Sequence, residues 1–220
     1  IEASRGECLF FLDADDELPP DFLSIVHGGM EEKCADVAWV WKVSNSAEMR
    51  VMKKHPLCGG KDGLSCLESY LRDPWNAQVM VRKSFLESSG IRYTEGLAYA
   101  EDVDFFVRLL LEAKQIHVET RTCYIYKKNP YQVTRNIDRI AARKAVDEAF
   151  RRLAKWLREQ KAPHEIVVEM KKSETKARIN LLREALRKGD FSLFRHLIET
   201  KETKEALGLA RKGLLSGKWY

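Results

Sequence analysis

No run of eighteen apolar residues occurs in the 220-residue chain, so nothing in it has the length that a membrane-spanning helix needs. Its one compact apolar run, Cys8 to Leu12, follows a largely polar start and is too short for the core of a secretory signal. Close cysteine pairs are missing too. Cys8, Cys34, Cys58, Cys66 and Cys123 are odd in number and scattered, which argues against a disulfide frame or a zinc site and for the reduced thiols of a cytosolic protein. His27, His55, His117, His164 and His196 show no ligand spacing, and His117, inside an expected strand, reads as packing. There is no GxGxxG, P-loop, HExxH or CxxC pattern, so the chemistries those motifs carry are not indicated. No period recurs, which excludes a repeat array.

What is present can build a core: 45% of residues are hydrophobic, and the length suits one ordinary domain with an extension, or two small ones. The net charge of +5 hides a division. Residues 1–137 hold 17 Lys and Arg against 21 Asp and Glu, a balance of −4; residues 138–220 hold 21 against 12, a balance of +9. A basic tail on an acidic body suggests an anionic partner, a membrane surface or a phosphorylated acceptor rather than nucleic acid. A solvated helix surface is the plain alternative.

The most informative stretch is Cys8-Leu9-Phe10-Phe11-Leu12-Asp13-Ala14-Asp15-Asp16-Glu17-Leu18-Pro19-Pro20. Its five apolar residues predict a strand buried on both faces, and its acidic residues then fall at the carboxyl edge of a sheet, where open α/β folds place ligands. Clustered carboxylates repel unless a cation neutralises them, and oxygen-only ligands suit Mg²⁺ or Mn²⁺. A solvated acidic turn is the competing explanation. Only seven residues precede Cys8, too few for a neighbouring strand and its crossover. The expectation is therefore the back part of a larger domain.

Farther on, the pattern predicts a helix over 21–33 with Phe22, Ile25, Val26 and Met30 inward, and a strand over 35–43. Residues 44–60 read as a loop or weak hairpin. Asp62 is placed to cap a helix with Leu64, Leu67 and Leu71 inward, and a strand over 77–81 leads into a helical turn from Lys83 to about Gly90. A helix over 100–114 carries Glu101 and Asp102 in its first turn, where the dipole favours carboxylates, and a strand follows over 116–126. Strands alternating with helices argue for an α/β layer architecture. From Asp138 the period is helical. One stripe is Ile140, Val146, Phe150, Leu153 and Leu157; a second is Ile166, Met170, Ala177, Leu181 and Ala185. Asp190 then caps a helix carrying Phe191, Phe194, Leu197 and Ile198, and a last helix covers 204–212.

Three motifs stand together: Asp13-Ala14-Asp15 after the apolar strand, Ala100-Glu101-Asp102-Val103-Asp104-Phe105-Phe106-Val107-Arg108 at a helix start, and Tyr124-Ile125-Tyr126-Lys127-Lys128-Asn129-Pro130 running on to Val133-Thr134-Arg135-Asn136. As a set they resemble bacterial family 2 glycosyltransferases of the GT-A fold, and Ile1 to Glu7 resembles the segment leading into that family's DXD strand. The resemblance covers about residues 1–137. It implies an α/β fold: a partial GT-A sheet, the Rossmann-like fold of nucleotide-diphospho-sugar transferases, with helices, over 1–137, and an all-helical basic extension over 138–220.

The resemblance also implies an inverting transfer of a sugar from a nucleotide-sugar donor, a UDP-sugar first, to a saccharide or lipid-linked acceptor hydroxyl in surface polysaccharide or glycolipid synthesis. Asp15 would ligate Mn²⁺ or Mg²⁺, and Asp13 would touch the metal or the donor's ribose. Such a cation stabilises the charge of the departing nucleotide diphosphate. Asp102 matches the family's general base. Lys127, Lys128 and Arg135 could close over the diphosphate, although a basic surface loop is as good a reading. Trp75, Asn76 and Glu101 match the acceptor side, with core packing the simpler role for Trp75 and helix capping for Glu101.

The family's usual front end has no counterpart ahead of Cys8, so the resemblance implies weak donor binding by this chain, inactivity on its own, and a bare sheet edge through which copies could pair. Location would be cytoplasmic, peripheral at the inner membrane face. Two other readings remain: a non-catalytic interaction module with a basic tail, and a magnesium-dependent phosphatase of the haloacid dehalogenase type. The latter usually follows its Asp-x-Asp with a small residue and Thr, where this chain has Asp16, Glu17 and two prolines.

Overall fold

A computed structural model describes residues 1–43, 63–72, 77–127 and 138–211. The chain divides into two compact units, residues 1–93 with 105–132, and residues 94–104 with 133–220.

In the first unit, β1 (Cys8–Phe10), β2 (Val37–Val43), β3 (Ala77–Arg82) and β4 (Ile116–Ile125) form one sheet in the order β1-β3-β2-β4. β3 runs antiparallel to both its neighbours, whereas β2 and β4 pair in parallel. It follows that β1, β2 and β4 all point the same way, and their carboxyl ends share one edge of the sheet. The helices of this unit are α1 (Phe22–Lys33), α2 (Gly63–Arg72), α3 (Lys83–Ser89) and the greater part of α4 (Glu101–Glu112).

β2 lies between two strands and is covered on both faces, which gives it near-continuous burial. Ala38 and Val40 pack with Phe22, Val26 and Met30 of α1. The intervening Trp39 faces Tyr70 of α2, with ring centroids 5.7 Å apart, and Tyr70 in turn meets Phe106 of α4 at 5.8 Å. The period of two along the strand thus builds two apolar layers, one on each face.

β1 departs from the expectation of a strand buried on both faces from Cys8 to Leu12. It ends at Phe10, only Leu9 is buried, and Leu12 is 49% exposed. The reason is its position: among the described residues β1 lies at an edge of the sheet and pairs with β3 alone. α2 also corrects the sequence. Its inward residues are Gly63, Cys66, Leu67, Tyr70 and Leu71, and Leu64 is exposed. Gly63 sits so close to the end of α4 that a Cβ there would lie 2.6 Å from the carbonyl oxygens of Leu110 and Ala113. That contact fixes which face turns inward and carries Leu64 off it. Ile25 of α1 is likewise only half-buried. The residues expected as a loop (44–60) and the cap Asp62 lie outside the described residues.

The second unit contains α5 (Arg139–Glu159), α6 (His164–Arg187), α7 (Phe191–Glu199) and α8 (Lys201–Arg211). Asp138 caps α5, its carboxylate accepting from the N–H of Ile140 and Ala141. Asp190 caps α7 through Leu193 N–H at 2.9 Å. The stripe Ile166, Met170, Ala177, Leu181 and Ala185 is buried throughout. On α5 the buried face is Ala149, Phe150, Leu153, Ala154 and Leu157, with Ile140 and Val146 only half-buried. On α7 Leu193, Phe194 and Leu197 pack against Leu181 and Leu182, whereas Phe191 and Ile198 are exposed. α8 begins ahead of the expected Lys204, at Lys201, because the Thr200 hydroxyl accepts from Thr203 N–H and opens the helix early. Among the described residues, no helix is long and apolar enough to cross a membrane.

Candidate functional site

The acidic loop after β1 crosses the carboxyl edge of the sheet. Glu17 pairs with Ile125 at the end of β4 by two backbone hydrogen bonds of 3.0 Å. β1 and β4 are the two edges of the sheet, three strand spacings apart, or about 14 Å. The seven residues from Phe11 to Glu17 span that readily at about 3.3 Å each. The two phenylalanines at its root point to opposite faces. Phe10 meets Phe22 at 4.9 Å and Tyr124 at 5.9 Å, while Phe11 meets Tyr93 and Phe105 at 5.4 and 5.5 Å.

Asp13 to Asp16 form a turn closed by Asp16 N–H donating to Asp13 O at 3.1 Å. The four acidic side chains from Asp13 to Glu17 have different fates. Asp16 is buried and accepts from the Tyr124 hydroxyl and, at 2.8 Å, from Lys127 N–H. Glu17 pairs with Lys127 Nζ at 2.9 Å. Asp13 and Asp15 are exposed. The Tyr124 hydroxyl also accepts from Asp13 N–H at 3.3 Å. Burial, followed by the bond it donates to Asp16, pushes the Tyr124 phenol above its ordinary pKa, so it remains a donor across the whole physiological range.

Of the residues singled out by sequence, the structure brings Asp13, Asp15 and Lys127 together on this edge. Two residues that sequence reasoning passed over, Asp16 and Tyr124, tie the loop down. Asp16 lies inside the quoted motif, but nothing in the sequence separates it from Asp15; burial does. Trp75, Asn76, Lys128 and Arg135 lie outside the described residues.

Asp13 and Asp15 suit a hard divalent cation as a donor set. Both are carboxylates, and they face outward from one turn. Among the described residues no group of three or more acidic, histidine or cysteine side chains could ligate a metal. Two carboxylates without a third protein ligand is the usual arrangement where Mg²⁺ takes its remaining ligands from substrate phosphates and water.

In the second unit, α4 opens with Glu101 exposed and Asp102 half-buried. Asp102 Oδ1 accepts from Val103 N–H at 2.7 Å, and the buried Asp104 accepts from the Thr94 hydroxyl at 2.6 Å. Ala100, just ahead, has a φ of 62°, a left-handed conformation that costs a residue with a Cβ about 1–2 kcal/mol. A strained, buried residue thus sets where the helix and its acidic first turn begin.

His117, on β4, does pack: its Nε2 lies 2.9 Å from the buried Glu119. Burial alone pushes the Glu119 carboxyl up, but hydrogen bonds from His117, from the Arg121 side chain and from Arg121 N–H outweigh it and hold the pKa at about 2. A groove of about 560 Å³ beside β1 is lined by Cys8, Phe10, Leu23, His27 and Met80 among others, and by none of the acidic loop.

Comparison with known proteins gives a family. The model of glycosyl transferase family 2 matches residues 1–133. Among solved structures, S. aureus TarS 1–349 in complex with UDP-GlcNAc is similar at 17% identity, covering 96% of this chain and 70% of that one, with a TM-score of 0.52. The same TarS fragment in complex with UDP gives 17% identity, 96% and 69% coverage and a TM-score of 0.49. No curated protein sequence matches the chain. A mixed α/β sheet whose acidic loop lies at its carboxyl edge, matched over more than half the chain by one family model, defines the class: this chain belongs to glycosyl transferase family 2. That membership sets aside the phosphatase alternative.

Proposed function

We propose that the chain acts in the transfer of a sugar from a nucleotide-sugar donor to an acceptor hydroxyl with inversion, in polysaccharide or glycolipid synthesis. The observation that supports this most is the division of labour in the acidic loop, with Asp16 and Glu17 tied to β4 and Asp13 and Asp15 turned outward. In this reading Asp15, with Asp13, holds Mn²⁺ or Mg²⁺ against the donor diphosphate. When bound, the cation stabilises the negative charge that grows on the leaving group. Lys127, paired with Glu17, is a positive charge at the same edge that would exchange that partner for the diphosphate.

Asp102 takes the proton of the acceptor hydroxyl as its oxygen attacks the anomeric carbon and the bond to the diphosphate breaks. The attack comes from the face opposite the leaving group, which inverts the configuration. The bond from Val103 N–H fixes the orientation of the Asp102 carboxylate. Glu101 faces the acceptor side.

UDP-GlcNAc, the donor seen with TarS, is the first to test, with water as the acceptor. Because the residues proposed to hold the cation and to act as base all lie in this chain, the expected result is slow Mn²⁺-dependent release of UDP, in place of the inactivity that the resemblance implies, and Asp102→Asn lowers it at least a hundredfold. Release that ignores both Mn²⁺ and Asp102 would overturn the proposal.

A further inference from the structure

Tyr124 is the one member of its buried cluster that carries a hydroxyl; its neighbours there are Phe22, Val26, Met30, Ala35, Ala38, Val40 and Met80. A phenylalanine would fill the same volume. The oxygen is spent on the acidic loop, and it meets that loop twice, accepting from Asp13 N–H and donating to Asp16 Oδ2. Asp16 closes the turn from its other end, through its own N–H to Asp13 O and through Oδ1 to Lys127 N–H. The main chain of Asp13 is therefore held at both its N–H and its C=O. Asp15, inside the turn, has its place set by these two anchors.

We infer that the Tyr124 hydroxyl and Asp16 are positioning groups that hold Asp13 and Asp15 in the geometry that receives a divalent cation with its diphosphate. The inference rests on the proposed function above and deepens it. Two carboxylates one residue apart repel each other, and a free loop would splay them. Here the turn is fixed before any cation arrives, by bonds to a fully buried ring. A site assembled in advance loses less conformational freedom on binding and so binds more tightly. Removing the hydroxyl alone unpins Asp13 N–H and deprives Asp16 of its buried donor, while the ring keeps its packing on Phe10.

The test is calorimetric titration of UDP in the presence of Mn²⁺ into the wild type, Tyr124→Phe, Asp15→Asn and Phe22→Leu, with a ligand-free thermal melt of each. Phe22→Leu disturbs the same cluster without touching the loop, and so controls for lost stability. The expected result is that Asp15→Asn removes the Mn²⁺-dependent part of UDP binding. Tyr124→Phe weakens that part about tenfold, and Phe22→Leu lowers the melting temperature at least as much as Tyr124→Phe yet binds like the wild type. If Asp15→Asn binds normally, the reading of the loop as a cation site fails, and the inference with it. If Asp15→Asn loses binding while Tyr124→Phe keeps it, or if Phe22→Leu weakens binding as much as Tyr124→Phe, the cation site stands and the positioning role is overturned.

Discussion

At the scale of single residues, chemistry and exposure divide neighbours that look alike in sequence. Asp15 and Asp16 are adjacent and identical in type, yet one is exposed and the other accepts two hydrogen bonds beneath the loop. The sequence carried the acidic cluster and its place after a strand. It did not carry the partition, because the partner that makes it, Tyr124, lies 108 residues away. Glu119 is a second case of long-range assignment. Its carboxyl stands at about 2 against an ordinary 4.5, so its ionised form stabilises the fold. That contribution is complete above about pH 4.5 and is lost as the pH falls toward 2; the shift corresponds to about 3 kcal/mol. Glu119→Gln is expected to lower stability at pH 7 by about 2 kcal/mol and to flatten the acid limb of a pH–stability curve measured by urea unfolding. An unchanged acid limb would show that the ionised carboxylate is not what His117 and Arg121 hold in place.

Elements were the more legible scale. Each strand and helix expected within the described residues is present, since apolar spacing and capping groups such as Asp138 and Asp190 act locally. The errors come from contacts that no local pattern contains. The five apolar residues from Cys8 to Leu12 match a doubly buried central strand, and only the sheet order shows β1 at an edge among the described residues. Leucine at the spacing of Leu64 fits an apolar face, but the approach of Gly63 to α4 turns the helix otherwise. That approach is open to test. In an open helix, Gly63→Ala would stabilise by about 1 kcal/mol. Here the added Cβ meets two backbone carbonyls, so overpacking dominates and the expected outcome is a loss of about 1–3 kcal/mol, read as a lower melting temperature. A rise would contradict the close packing of α2 on α4.

Over the whole molecule, the excess of positive charge after residue 138 belongs to a helical unit that also buries charge. Arg178 makes a two-point pair with Asp147, at 2.9 and 2.7 Å, with both side chains under 10% exposed. Burial raises the Asp147 pKa despite the nearby Arg178 and Arg151, so the pair is held against a desolvation cost. Losing one partner leaves the other charge stranded. Arg178→Leu is expected to destabilise the helical unit by about 3 kcal/mol, and the double change with Asp147→Leu to recover most of it, as followed by thermal unfolding. If the double variant is no better than the single one, the pair supplies more than mutual neutralisation.

In the function proposed above, the turn after β1 grips the donor diphosphate through a divalent cation. The most direct measurement is the number of Mn²⁺ ions held per chain, counted from the free-ion electron paramagnetic resonance signal with and without UDP. One UDP-dependent Mn²⁺ in the wild type, absent when Asp13 and Asp15 are both changed to Asn, is the predicted result. The same Mn²⁺ uptake in both proteins, or UDP binding that survives chelation of the metal, would contradict it.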